Sequence, residues 1–221
     1  MAKRVFAEFL GTGILVTVVV GSGAMAQNLS RDIGLQLLIN TVATILALGL
    51  LIELLGPLSG AHFNPLVSII RFALRKLSLL DAVTYIMAQF FGGIAGVMLA
   101  NVMFSHPAIS MSHHARSGFH IWLGEVVATA GLIFVIFQAI AQEKSKFIPI
   151  LVPAWIGAAY FFTSSTSFAN PAVTLSRSLT NTFSGIKPSS VAGFFVAQLI
   201  GAVIGYFLVF IFDSTKEVNR A

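Results

Sequence analysis

Ser59-Gly60-Ala61-His62-Phe63-Asn64-Pro65-Leu66 decides how this chain is organised, because a closely related stretch, Ser167-Phe168-Ala169-Asn170-Pro171-Ala172, returns in the second half. Asn accepts a hydrogen bond as an N-cap, and Pro suits the first helical position, where its missing N–H would have no intrahelical partner. Asn64-Pro65 and Asn170-Pro171 are therefore read as helix starts. The apolar pieces they open, about 64–75 and 170–181, are too short to cross a hydrocarbon core of about 30 Å, which needs roughly 20 helical residues. They read as re-entrant half-helices.

Working outward, hydropathy places full crossings near residues 5–26, 33–55, 82–104, 119–141, 147–163 and 189–212. The composition agrees: 57% of the 221 residues are hydrophobic and 10% charged, so a soluble globule of this size would expose too much apolar surface. The expected partner of the chain is a lipid bilayer, and one membrane domain accounts for residues 1–221. Lys3, Arg4, an apolar run and Ala24-Met25-Ala26 imitate a secretory signal with its cleavage site. Glu8 inside that run is echoed by Glu125 later, so the segment reads as the first span.

The halves echo each other in order. Ala7-Glu8-Phe9-Leu10-Gly11-Thr12 answers to Gly124-Glu125-Val126-Val127-Ala128-Thr129, and Ala88-Gln89 to Ala197-Gln198, on either side of the paired Asn-Pro motifs. Repeats of about 1–104 and 119–212 with three crossings each must enter the membrane from opposite sides, which makes the repeat inverted. Both termini on the cytoplasmic side puts Lys3, Arg4, Arg71, Arg75, Lys76, Lys144, Lys146, Lys216 and Arg220 inside, and leaves Arg31, Arg116, Arg177 and Lys187 outside. The positive-inside rule favours that orientation. The formal net charge of +5 thus falls between apolar runs and does not point to nucleic acid. With no cysteine, a disulfide or thiolate metal site is excluded.

Two half-helix starts that meet near mid-membrane turn two positive dipole ends toward one pore, since non-helical backbone is tolerated at that depth only where it lines a cavity. Cations, hydronium included, should be repelled, while the side-chain amide N–H groups of Asn64 and Asn170 can hold the oxygen of a passing neutral solute. Glu8 and Glu125, each buried in a span, need partners.

Through these motifs the sequence resembles the major intrinsic protein family of aquaporins and aquaglyceroporins over almost its whole length. The resemblance implies an all-α membrane protein with six transmembrane helices and two re-entrant half-helices, a homotetramer with one pore per protomer, and no cofactor or metal. It implies a pore constriction at Asn64, Pro65, Leu66, Asn170, Pro171 and Ala172. It also implies that Glu8 and Glu125 support the motif loops, and that His62 lines the inner vestibule.

This chain departs from the family's pattern in two places. Leu66 stands where Ala is usual, and Val173 stands where the family places the Arg of its outer selectivity filter. Family spacing assigns the other filter walls to Thr44, a residue near Ala158, and Ser167 or Phe168. Asn40 and Thr44, four residues apart, form a polar face on an apolar helix and are expected to look into the pore. A filter of Thr, Ala, Ser and Val should admit compact polyhydroxy solutes such as glycerol and arsenous acid as well as water. The Val173 substitution resembles bacterial members associated with arsenic resistance. Arg177, one turn beyond Val173 on the same face, is a candidate to replace the lost filter charge.

Other signals weigh less. His106, His113, His114 and Arg116 read as a solvated outer loop, and Asn28-Leu29-Ser30 matches a glycosylation sequon. No nucleophile–base pair, phosphate loop or metal-ligand spacing supports an enzyme. The expected function is a passive channel for small uncharged solutes in a plasma membrane, the inner membrane for a bacterium. The alternatives are a water-selective aquaporin and an ion-coupled transporter using Glu8, Glu53 and Glu125.

Overall fold

The computed structural model describes residues 1–212, so the expected cytoplasmic positions of Lys216 and Arg220 lie outside the described residues. Six helical segments are long and apolar enough to cross a membrane: α1 Ala2–Leu29, α2 Ile33–Ser59, α4 Leu79–Met103, α5 Phe119–Ala141, Ser145–Phe162, which contains α6 Ile148–Phe162, and α8 Pro188–Phe212. A short 3-10 turn, Ser145–Phe147, leads into α6. The half-helices are α3 Pro65–Ala73 and α7 Pro171–Arg177. Leu46, Leu50 and Leu54 on α2 and Val196, Val203 and Phe207 on α8 are exposed, a band of large apolar side chains that suits lipid contact.

Side-chain acceptors cap α2 and α4 at their starts. Asp32 caps α2 by accepting from Leu35 N–H at 2.7 Å, and Ser78 caps α4 by accepting from Asp81 N–H at 3.0 Å. Both half-helices end earlier than the apolar pattern predicts. After α3, Arg75 takes a left-handed φ of 57° and Lys76 N–H bonds back to the Arg71 carbonyl, which closes the helix. α7 stops at Arg177, four residues short of the expected 181, because Ser178 and Leu179 N–H groups bond back three residues to Leu175 and Ser176.

The two halves pack by one device. α4 lies against α1 through Gly92 and Gly96, and α8 against α5 through Gly201 and Gly205, the small-xxx-small pattern that lets helix backbones touch in lipid. A Cβ at Gly96 would collide with the carbonyl oxygen of Gly13, and one at Gly205 with that of Ala130. Gly96→Ala is expected to cost about 1–3 kcal/mol, the usual range for overpacking. Thermal unfolding in detergent should show a midpoint several degrees below the parent; an unchanged midpoint would mean that α1 and α4 can part without loss.

Candidate functional site

The two motif loops meet at the centre of the bundle in strained conformations. Ala61, Phe63, Ser167 and Ala169 all have φ between 46° and 50°, a region that costs a non-glycine residue about 1–2 kcal/mol. Buried carboxylates hold them there. Glu8 accepts from the backbone N–H groups of His62 (2.9 Å) and Phe63 (2.7 Å), from the Ser59 hydroxyl (2.6 Å) and from Gln89 Nε2 (2.8 Å). Glu125 accepts from Phe168 N–H (2.8 Å), Ala169 N–H (2.9 Å) and Gln198 Nε2 (2.7 Å). Gln89 also donates to Ser68 on α3, and Gln198 to Thr174 on α7, so each carboxylate is tied to its half-helix as well as its loop.

Asn64 and Asn170 then lock one loop to the other. The Asn64 side-chain oxygen caps α3 at Leu66 N–H (3.0 Å), and its Nδ2 donates to the Ala169 carbonyl (2.8 Å). Asn170 caps α7 at Ala172 N–H (3.0 Å), and its Nδ2 donates to the Phe63 carbonyl (2.7 Å). Each amide spends one N–H on the opposite loop and keeps the second for whatever lies in front of it.

What lies in front is a cavity of about 290 Å3. Its lining runs from Arg71, Ser145 and Ile148 at one mouth, past both Asn residues, to Thr44, Tyr160, Phe168 and Arg177 at the other. Each half-helix shows it the same face: Asn64, Val67 and Arg71 from α3, and Asn170, Val173 and Arg177 from α7. The walls between are apolar, with Leu48 and Ile52 of α2, Leu132 and Ile136 of α5, and Val152 and Ile156 of α6. Among the described residues no carboxylate lines the cavity. Glu8 and Glu125 are fully buried in their loop networks and Glu53 is exposed on α2, so none of the three stands where an ion-coupling site would need it.

Of the expected filter residues, Thr44, Ser167, Phe168 and Val173 line the cavity, and the buried Oγ atoms of Thr44 and Ser167 have no partner among the described residues. His62 lines it too, its Nδ1 3.0 Å from the Ser68 hydroxyl. Ala158 does not: it is exposed on the outside of α6, and the inward positions are Ile156 and Tyr160, one helical turn apart. The spacing Val152, Ile156, Tyr160 is the signal that would have found them. Asn40 is also corrected. Its Nδ2 donates to the Val19 carbonyl (2.7 Å) and the Ser22 hydroxyl (2.9 Å) on α1, so it ties two helices together while Thr44 alone faces the pore.

At the centre, only Asn64 and Asn170 of the six expected constriction residues line the cavity. Leu66 turns the other way and packs with Ile133 and Phe137 of α5 and Ala202 of α8, so this larger residue is absorbed by the core. Pro65, Pro171 and Ala172 are buried behind the Asn caps.

Arg177 is buried, with its guanidinium carbon 3.4 Å from the centroid of the Phe168 ring and its Nε donating to the Ser184 carbonyl. Arg116 sits 5.3 Å from the same centroid and bonds to the Gly185 and Phe183 carbonyls at 3.0 and 3.3 Å. The outer loop is therefore not uniformly solvated: His106, His113 and His114 are exposed, whereas Arg116 is pinned.

A family model described as major intrinsic protein matches residues 1–168. An aquaglyceroporin of Rhizobium meliloti, AqpS, is 50% identical over 203 residues, covering 92% of this chain and 87% of that one. Aquaporin-5 of Mus musculus is 31% identical, covering 98% of this chain and 84% of its own. Among solved structures, the X-ray structure of the aquaglyceroporin from Plasmodium falciparum matches with a TM-score of 0.71 at 21% identity, over 100% of this chain and 99% of that one.

Proposed function

The chain belongs to the major intrinsic protein family, an integral multi-pass membrane family of channels, and from that premise we propose that it is a wide neutral-solute pore conducting arsenous acid, glycerol and water. The observation that carries this reading is the wall opposite Thr44. Val173 occupies the face of α7 where the family resemblance calls for a guanidinium, and Thr44 and Ser167, whose buried Oγ atoms have no partner among the described residues, line the same cavity. An apolar wall with a few unpaired hydroxyls suits a compact solute that carries several hydroxyls and no charge. Arsenous acid is uncharged at neutral pH and presents such a surface, as does glycerol.

The second N–H of each pore asparagine offers a mid-membrane hydrogen bond to a solute oxygen, and the two half-helix N-termini oppose a cation at the same point. The rest of the reading follows the family: a homotetramer in a bacterial inner membrane, both termini cytoplasmic, one pore in each protomer. The test is stopped-flow light scattering on proteoliposomes challenged in turn with water, glycerol and arsenous acid gradients. Flux of all three above protein-free vesicles, with no dependence on an ion gradient, is expected. Rapid water flux with glycerol and arsenous acid both excluded would return the chain to a water-selective reading.

A further inference from the structure

Arg71 and Arg177 occupy the same place in the two repeats. Each lies seven residues after its asparagine, in the last turn of its half-helix, and each lines the cavity. Because α3 and α7 enter from opposite sides, that shared register brings the two guanidiniums out at opposite mouths. We propose, resting on the neutral-channel reading, that this chain has moved its fixed filter charge off the constriction and divided it between the mouths, with Arg71 and Arg177 as paired cation barriers.

The charges are placed to act on the pore. Among the described residues the one ion pair within 4.0 Å joins Arg4 to Asp81, so neither Arg71 nor Arg177 is neutralised by a carboxylate at contact distance. Arg177 cannot swing away, since the Phe168 ring covers one face of its guanidinium and the Ser184 carbonyl takes its Nε. Among the described residues its Nε alone has a protein acceptor, and the side chain lines the cavity. Val67 and Val173, each three residues after its asparagine, take the equivalent wall positions one turn nearer the centre, so the lining there is apolar and the charge lies one turn further out. A cation meets like charge at each end whichever side it comes from, whereas a neutral solute meets hydrogen-bond donors. The competing account is that each Arg only complements the negative C-terminal end of its half-helix.

Urea and the guanidinium ion decide between the two, because they are nearly the same size and shape and differ in charge. With the full-length chain in proteoliposomes, the parent should pass urea and exclude guanidinium. The double variant Arg71→Met, Arg177→Met should raise the ratio of guanidinium to urea flux by about tenfold or more, the size expected from removing one strong charge interaction. Arg71→Lys with Arg177→Lys, which keeps both charges, should hold the parent ratio. Since Arg177 is buried against Phe168 and its variant can fail to fold, Arg71→Met alone, at a half-buried mouth position, is a second test, with a smaller rise expected. A parent ratio retained in either folded Met variant overturns the proposal in favour of helix-end complementation. A parent that passes no neutral solute fails earlier, at the channel reading itself.

Discussion

Glu125→Ala is expected to yield little or no folded protein. The substitution removes the acceptor of three buried N–H donors, those of Phe168 and Ala169 and one of the two on Gln198 Nε2, whose other N–H stays on the Thr174 hydroxyl. At about 1–3 kcal/mol for each, the loss is roughly 3–9 kcal/mol, which is comparable to the 5–15 kcal/mol that holds a typical protein folded. The loop would also lose what keeps Ser167 and Ala169 in the left-handed region, and with them the position of Asn170 at the cavity. Glu125→Gln should be milder, since one oxygen still accepts while the amide nitrogen meets a backbone N–H head on. Size-exclusion profiles in detergent and thermal midpoints rank the variants: parent highest, Gln lower, Ala lowest or aggregated. An Ala variant that elutes and melts like the parent would show that the loop does not depend on the carboxylate.

The parts of this site that were legible in the sequence are those set by local chemistry. Asn64-Pro65 and Asn170-Pro171 announce helix starts because a cap and its first turn are a few residues of contiguous chain. Glu8 and Glu125 announce themselves because a carboxylate inside an apolar span has to be satisfied, and their matched positions pointed to matched partners. What stayed illegible depends on register and on tertiary neighbours. Family spacing counted back from Asn170 crosses the loop that joins α6 to α7, where Thr166, Ser167 and Ala169 turn left-handed; it lands on Ala158, on the exposed side of α6, and Ile156 and Tyr160 face the cavity. Asn40 and Thr44 share a polar face, yet α1 approaches closely enough to take Asn40 and leaves Thr44 to the pore. Nothing in the linear chain tells Leu66 to turn toward α5, or brings Arg116 and Arg177 to the same Phe168 ring.

Val173→Arg is expected to close the pore to larger solutes while sparing water. Val173 is buried at 5% exposure, one turn from the Asn170 cap and one turn before Arg177, and its side chain forms part of the wall. A guanidinium there projects a longer, solvated group into a passage otherwise bounded by Thr44 and Ser167, and it adds a second positive charge beside Arg177. A solute that must shed part of its hydration to squeeze past meets a higher barrier; about 1.4 kcal/mol is enough for a tenfold fall in rate. Glycerol and arsenous acid flux should drop by about tenfold or more, and water by about threefold or less, because a single water fits a narrower opening and gains a donor. Val173→Leu separates bulk from charge: it narrows the wall without adding a donor, so it should slow glycerol moderately and leave the guanidinium-to-urea ratio where the parent has it. Equal losses of water and glycerol in the Arg variant would mean that Val173 does not set the width, and that discrimination lies elsewhere along the cavity.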